Sequence, residues 1–433
     1  MQLTRMLPVE QLKIGMYVAQ LDRPWLETPF LFQGFYIRDE DEIAELQSHC
    51  EHVYVSRESV ATPSAEVESR VVTMTETVRP ERPAKRRFSI RALFGLGDRH
   101  ATEEDFEQTN VIYKEVTSLK EESQTALAVH EEAIKTVHGV MDSLKSSGRL
   151  NVEHLEQAIK PMVDSVLRNP AALACLMRMQ KKGSYLYRHS LASSVWATIL
   201  GRQIGLSRSD LDVIAIGAML LDVGKTKLPT DLLNKPGSLS DEERLLVQRH
   251  VQFGLDILEK TPGIDSRVLE MVAHHHERYN GTGYPAQLSG NKIPVFGRIA
   301  GIVDAYDAMI TRRPYAELMS SYDALRKLRV LADVEFQAEI VEQFTRAIGA
   351  FPTGTLVELN TGEIAIVTRQ NLIRRLRPEV MVIMDADKRV LDQFRVMDLN
   401  KEKVSPHGEH SLWIERGLPP GTHGIDPTEF YLG

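Results

Sequence analysis

Residues 274–285 read His-His-His-Glu-Arg-Tyr-Asn-Gly-Thr-Gly-Tyr-Pro. Imidazole and carboxylate bind borderline divalent metals such as iron, manganese or zinc. The planar fork of an arginine gives phosphate two hydrogen bonds at once. Gly281, Gly283 and Pro285 stop a helix and shape a rigid loop beside these groups. Metal ligands, a phosphate binder and a shaped loop within twelve residues suggest metal-assisted phosphate-ester chemistry. Alone, the cluster is also compatible with a surface turn.

With His275 and His276 of this stretch, further candidates upstream and downstream make a set of six. They are His189, Asp222, His250, His275, His276 and Asp304. Most stand as single polar residues in apolar helical stretches, where burial is costly unless they are paired or metal-bound. One such residue reads best as a hydrogen-bonded core group. Five or six in one region read best as a shared metal site.

The elements that must position them are helical. The pattern predicts helices at Val152–Leu167, Ala171–Lys181, His189–Ile204, Ser209–Leu221, Ser240–Lys260, Ser266–His276, Val295–Met309, Ser321–Val330 and Ala338–Ala350. Asn169-Pro170, Lys235-Pro236-Gly237 and Thr261-Pro262-Gly263 punctuate them. No alternating strand–helix pattern occurs, so residues 150–350 read as an all-α domain.

Around this lies a multidomain α+β chain. Residues 1–60 read as a small β-rich domain, with Phe30–Ile37 alternating about Gln33-Gly34 as a hairpin or bulged strand would. Residues 61–101 have the composition of a flexible linker. The basic Lys85-Arg86-Arg87 with the apolar Ile90–Leu96 falls inside it. Residues 102–149 read as a helical connector, either a helix pair or a dimerising helix, with apolar positions Val111, Val116, Leu119, Ala126, Ile134, Val137 and Met141. A small β-rich segment follows at 351–400, with strands at Thr355–Leu359, Ile364–Val367 and Val380–Met384 and a turn at Asn360-Thr361-Gly362. Residues 401–433 read as a mobile tail.

Bulk properties narrow the function. The 433 residues exceed one compact core. A net charge of −8 provides no global basic field, which disfavours a nucleic-acid polymer as partner. Cys50 and Cys175 form no CxxC pattern, so neither a disulfide framework nor a thiolate zinc site is expected. The longest apolar run, Val213–Leu221, is nine residues, against about 20 for a membrane span. The N-terminus lacks the long apolar core of a secretory signal. The expectation is a cytoplasmic protein without a transmembrane segment.

Taken together, His189-Ser190, Asp222-Val223-Gly224-Lys225, Leu233-Asn234-Lys235-Pro236-Gly237, His275-His276-Glu277-Arg278, Gly283-Tyr284-Pro285, Asp304-Ala305-Tyr306-Asp307-Ala308 and Arg313-Pro314-Tyr315 resemble the HD-GYP family of bacterial cyclic di-GMP phosphodiesterases. The resemblance spans about residues 150–350, with the motifs in order. Residues Gly15–Val55 resemble the DUF3391 domain that often precedes it. The implied fold is an all-α HD-type helical hydrolase domain flanked by the two small β-rich parts. The implied metal ligands are His189, Asp222, His250, His275, His276 and Asp304, with Asp222 bridging two divalent ions, iron or manganese. Such ions lower the pKa of a shared water and stabilise charge on phosphoryl oxygens. Asp222 and Lys225 are the implied catalytic residues. Lys225, Arg278 and Arg313 are the implied phosphate contacts, and Tyr284 shapes the pocket. The implied substrate is cyclic di-GMP, opened to a linear dinucleotide or to GMP. Diguanylate cyclases or other signalling proteins are implied partners, and the 102–149 helix is compatible with a homodimer.

The chain departs from the family pattern at its name-giving pair, which reads Leu221-Asp222. Leucine cannot bind metal. His274 is an extra imidazole, about 100° around a regular helix from His275. Asn280, Ile310 and Arg312 replace the family's usual residues, and Tyr185 stands where members with a third metal carry Glu. At most two ions are therefore expected. Three readings stay open: a working phosphodiesterase, a non-catalytic module that binds the nucleotide or docks partners, and a hydrolase for another cyclic dinucleotide or nucleotide.

Overall fold

The structure is a computed structural model of the chain and describes residues 4–23, 28, 30, 35–37, 40–56, 111–147, 150–179, 184–311, 318–371, 374–401 and 412–425. It divides into two compact units, Met1–Ser89 and Ile90–Gly433.

The first unit is an antiparallel sheet in the order β1 (Thr4–Pro8), β4 (His52–Ser56), β2 (Tyr17–Leu21), β3 (Phe35–Tyr36), with a helix at Glu40–His49. Alternation along β4 buries Val53 and Val55 and leaves His52 and Tyr54 half-exposed. The helix adds Ile43 and Leu46 to this core. Both oxygens of Asp22 are engaged at the sheet margin. Its Oδ2 accepts the Glu51 and His52 backbone N–H groups at 2.6 and 3.1 Å, and Oδ1 accepts Arg23 Nε at 3.2 Å. Burial alone would raise this carboxyl's pKa, but the backbone donors hold it down to about 2. The expected Gln33-Gly34 turn and the 61–101 linker lie outside the described residues.

The second unit begins with an extended stretch. Val111 N–H donates to Gly205 O, and Val116 N–H donates to Arg168 O. Val116, expected on an apolar face, is 71% exposed. Leu119–Ser147 is one continuous helix rather than a pair. It buries Ala126, Ala133, Val137, Val140, Met141 and Leu144 at helical spacing. It also lends the buried Glu122 to Arg168 and Ser165.

Caps written in the sequence set several helices. Asn151 accepts His154 N–H, Ser207 accepts Asp210 N–H, and Ser240 with Glu243 closes a capping box. Tyr185–Ile204 is the central helix. Trp196, Val195, Ala197 and Leu200 on it have essentially no exposure. It ends where Gly205 turns left-handed, φ 79°. Arg208–Leu220, Val295–Ile310 and Ala338–Ile348 pack around it.

Two expectations are corrected. Ser240–Lys260 is two helices, Asp241–Gln248 and His250–Leu258, joined at Arg249. Arg249, with φ −63° and ψ −11°, tightens the last turn of the first helix. His250 therefore opens a helix instead of lying inside one. The tail is not wholly mobile either. Ile414–Leu418 is strand β9, paired with β5 (Leu356–Leu359) in a five-stranded sheet. The sheet order is β8 (Val390–Asp398), β7 (Glu379–Met384), β6 (Ile364–Arg369), β5, β9. Ile414 and Leu418 bury their side chains, and Arg416 pairs with Glu358 at 2.5 Å. The β5–β6 turn uses Gly362 at φ 82°. His407 and His410 lie outside the described residues. No helix among the described residues is long and apolar enough to cross a membrane.

Candidate metal centre

Five helical segments deliver the six candidate ligands to one place. His189 lies in the first turns of Tyr185–Ile204. Asp222 follows Arg208–Leu220 and precedes the 3-10 turn Val223–Lys227. His250 opens His250–Leu258. His275 caps Ser266–His274, with His276 next, and Asp304 sits within Val295–Ile310. Gly224 makes the approach feasible. A Cβ there would overlap the His250 carbonyl oxygen and the Gly254 nitrogen, so only glycine lets the Asp222 turn lie against the His250 helix.

The ligand atoms form two groups, Asp222 with His250, His275 and His276, and Asp222 with His189 and Asp304. Within each group they lie within 4.8 Å of one another. The two oxygens of Asp222 divide between the groups. Oδ1 faces His250 Nε2 at 3.4 Å, and Oδ2 faces His189 Nε2 at 3.7 Å. Asp222 Oδ1 is buried and accepts no hydrogen bond, which suits an oxygen reserved for a cation.

Hydrogen bonds around the imidazoles aim their Nε2 atoms inward. His250 Nδ1 meets Val247 O at 2.7 Å, and His275 Nδ1 meets Val272 O at 2.8 Å. A carbonyl only accepts, so each Nδ1 carries the proton and each Nε2 keeps its lone pair. The two Nε2 atoms are 3.4 Å apart. Burial pushes His250 down to about 4, lowers His275, and takes His276 well below the ordinary imidazole range. All three are neutral imidazoles at pH 7, the form that can bind a cation.

The second group is more acidic. Burial opposes ionisation of Asp222, but Lys225, His250 and His189 outweigh it and hold the carboxyl low. Asp304 likewise stays ionised against burial, through its bond with His189. His189 Nε2 is 2.9 Å from Asp304 Oδ1, and its Nδ1 is 2.6 Å from Asp307 Oδ2. Burial would lower His189, yet these carboxylates raise it to about 9. Imidazole nitrogens with carboxylate oxygens form a donor set that fits a borderline divalent cation.

The remaining expected site residues divide. Lys225 Nζ donates to Asp222 Oδ2 at 2.6 Å. Tyr284 stacks on His276, and burial raises its phenol's pKa. Arg278 is engaged beside the centre. It donates to the His275 and Glu277 carbonyls, pairs with Glu335 at 3.3 Å and covers the Phe336 ring. Arg312 and Arg313 lie outside the described residues. Leu221 is fully buried and offers no donor, which leaves three ligands in the His189 group. His274 binds Glu270 O through Nδ1 and joins neither group. The ring of Tyr185 stacks on His189 at 5.3 Å, where a third-ion carboxylate would stand. Asn280 accepts the Thr282 N–H and hydroxyl, a local turn role.

Two carboxylates carry more than their motifs suggested. Asp307 and Glu277 are 1% and 4% exposed. Asp307 binds His189 and also accepts Trp196 Nε1 at 3.0 Å. Its signal was available, since Asp304 and Asp307 stand three apart on an apolar helix and share a face. Glu277 accepts Ala286 N–H at 2.7 Å and Leu288 N–H at 2.9 Å, which pins the Gly-Tyr-Pro loop. Gly283 must be glycine here, because a Cβ would strike the backbone of His276, Glu277 and Arg278.

Three family models match the chain. Residues 169–340 match the HD domain, residues 4–155 the domain of unknown function DUF3391, and residues 356–405 a KOW domain associated with the HD domain. The chain is 28% identical over 399 residues to a cyclic di-GMP phosphodiesterase of Pseudomonas aeruginosa, covering 91% of this chain and 89% of that one. A 3'3'-cGAMP-specific phosphodiesterase of Vibrio cholerae is 33% identical over 166 residues, 38% of this chain and 31% of that one. A cyclic di-GMP phosphodiesterase of Thermotoga maritima is 32% identical over 164 residues, 37% of this chain and 44% of that one. The chain thus spans less than half the length of the latter two relatives.

Proposed function

We propose that this chain, which carries an HD domain of the HD-GYP kind behind a DUF3391 domain, is a metal-dependent phosphodiesterase that hydrolyses cyclic di-GMP to a linear dinucleotide or to GMP. The observation that carries the reading is the division of Asp222, one oxygen toward each ligand group. His250, His275 and His276 would hold one divalent ion, and His189 and Asp304 a second, with Asp222 shared. Iron and manganese both suit the donor set. Bound ions supply a water of lowered pKa and Lewis-acid stabilisation of phosphoryl oxygens. The chain's own residues do the rest. The Lys225 ammonium stands 2.6 Å from the shared carboxylate, where it offers a phosphate a compact positive charge. Tyr284, over His276, would wall the pocket, and Arg278 and Arg313 would be further anion contacts.

A second reading rests on Leu221. With three donors in the His189 group, that ion is held weakly, and the chain would then bind the nucleotide without cleaving it. The cGAMP-specific relative keeps a mixed cyclic dinucleotide in view as substrate.

The test is to purify the chain anaerobically, count iron and manganese per chain, and assay cyclic di-GMP and 3'3'-cGAMP cleavage beside Leu221→His. Two ions and cyclic di-GMP turnover in the unmodified chain support the phosphodiesterase. One ion or none without turnover, both restored in Leu221→His, assigns a binding module. Turnover confined to 3'3'-cGAMP replaces the substrate.

A further inference from the structure

The His189 ring is held from behind by a carboxylate that is not in the ligand set. Asp307 Oδ2 lies 2.6 Å from His189 Nδ1, on the ring edge away from Asp222 and Asp304. Its other oxygen accepts the Trp196 indole N–H at 3.0 Å. All three side chains are buried, at 1% exposure for Asp307, 2% for His189 and 0% for Trp196. Trp196 is in turn fixed edge-on against Tyr306, with ring centres 5.5 Å apart. Both Asp307 oxygens therefore have one partner each, and the carboxylate cannot rotate without losing a buried hydrogen bond.

A carboxylate accepts only, so the His189 nitrogen facing Asp307 carries a proton. Nε2 is then the nitrogen turned toward the centre, 2.9 Å from Asp304 Oδ1 and 3.7 Å from the shared Asp222 Oδ2. His250 and His275 achieve the same with backbone carbonyls, Val247 O and Val272 O. At His189 a side-chain carboxylate takes the place of the backbone carbonyl. The partner is also anionic, which raises the basicity of the ligand.

We infer that Asp307, braced by Trp196, is a positioning residue that fixes the ring orientation and tautomer of His189 for the three-donor group. The inference rests on the metal centre proposed above and deepens it. In a group that lacks a fourth protein donor at Leu221, the remaining imidazole must be well aimed, and Asp307 supplies that aim.

The experiment is a titration of the metal-free full chain with Mn²⁺, following free ion by electron paramagnetic resonance, for the unmodified chain, Asp307→Asn and Trp196→Phe. Thermal melting of each runs in parallel. Asparagine keeps the volume of Asp307, but its amide can donate to Nδ1 and turn the proton to Nε2. The expected result is that Asp307→Asn weakens one of two Mn²⁺ sites by about 10- to 100-fold and leaves the other unchanged. Trp196→Phe keeps the carboxylate but frees it, so a smaller loss at the same site is expected. Unchanged binding at both sites in both variants would overturn the inference. So would equal loss at both sites with a collapsed melting transition, which would give Asp307 a structural role. No Mn²⁺ binding by the unmodified chain would instead refute the metal centre, and this role with it.

Discussion

Tyr284 lies nearly flat on His276, ring centres 4.6 Å apart and planes 26° from parallel. Tyr284 comes from the loop and His276 from the helix end, so this contact joins the candidate metal centre to the loop. Glu277, between them in sequence, holds the loop by two backbone N–H groups. In Glu277→Gln one acceptor oxygen becomes a donor and faces an N–H. We expect a loss of about 1–3 kcal/mol of stability by urea unfolding and a raised KM for cyclic di-GMP at a nearly unchanged metal count. An unchanged KM would show that the loop holds its shape without Glu277.

Gly224 separates the Asp222 turn from the His250 helix by less than a methyl group. Gly224→Ala must push the two apart. The expected cost is about 3 kcal/mol or more, at or above the upper end for overpacking, together with loss of bound metal. Gly254→Ala is the control. Its Cβ would meet Val272 Cγ1 at 3.2 Å, a side chain that can yield. Equal urea midpoints for the two variants would contradict this account.

Lys225 and a cation compete for the same Asp222 oxygen. Lys225→Met should therefore leave metal affinity unchanged or raise it several-fold, while kcat/KM for cyclic di-GMP falls about 10²- to 10³-fold, as for loss of a charge-stabilising donor. Metal titration and turnover on one preparation separate the two effects. A parallel fall in both would mean that Lys225 only props up the carboxylate.

Asp22 predicts acid sensitivity in the first unit. Its folded pKa is about 2, below the unfolded value of about 3.9. The folded state therefore binds fewer protons, and the stabilisation is fully present above pH 4 and lost as pH falls through 2. Hydrogen exchange at the Glu51 and His52 amides should report it. Protection should drop between pH 4 and 2 in the unmodified chain and be lower already at neutral pH in Asp22→Asn, by about 1.5–3 kcal/mol of opening free energy. Equal protection in the two proteins at pH 7 would rule Asp22 out as the anchor.

The helical domain was legible because its signals are local. Ser207 and Ser240 are N-caps, Gly205 is a C-cap, and Asn169-Pro170 separates two helices. The ligand types were legible because His and Asp stand out in apolar helices, and the structure brings all six together. What sequence periodicity cannot carry is the turn at Arg249, a change of ψ within an unbroken helical pattern. Nor can it carry long-range pairing. The partner of Asp307 is 118 residues away. Strand β9 lies in a stretch rich in Gly, Pro and His that reads as coil until β5 offers it an edge. Strand β8 interleaves Asp392 and Arg395 with Val390, Phe394 and Val396, which blurs the alternation.

The pairing of β5 with β9 also fixes an order in time. Glu358 and its partner Arg416 are 58 residues apart, so a ribosome adding about 5–20 residues per second completes β5 some 3 to 12 seconds before its neighbour exists. During that interval the apolar Leu356, Val357 and Leu359 border an open edge in the nascent chain. The same arithmetic bears on any shortened version of this protein. A cut placed after residue 400, where the strand pattern fades, would make that interval permanent and leave β5 as the sheet edge in place of β9.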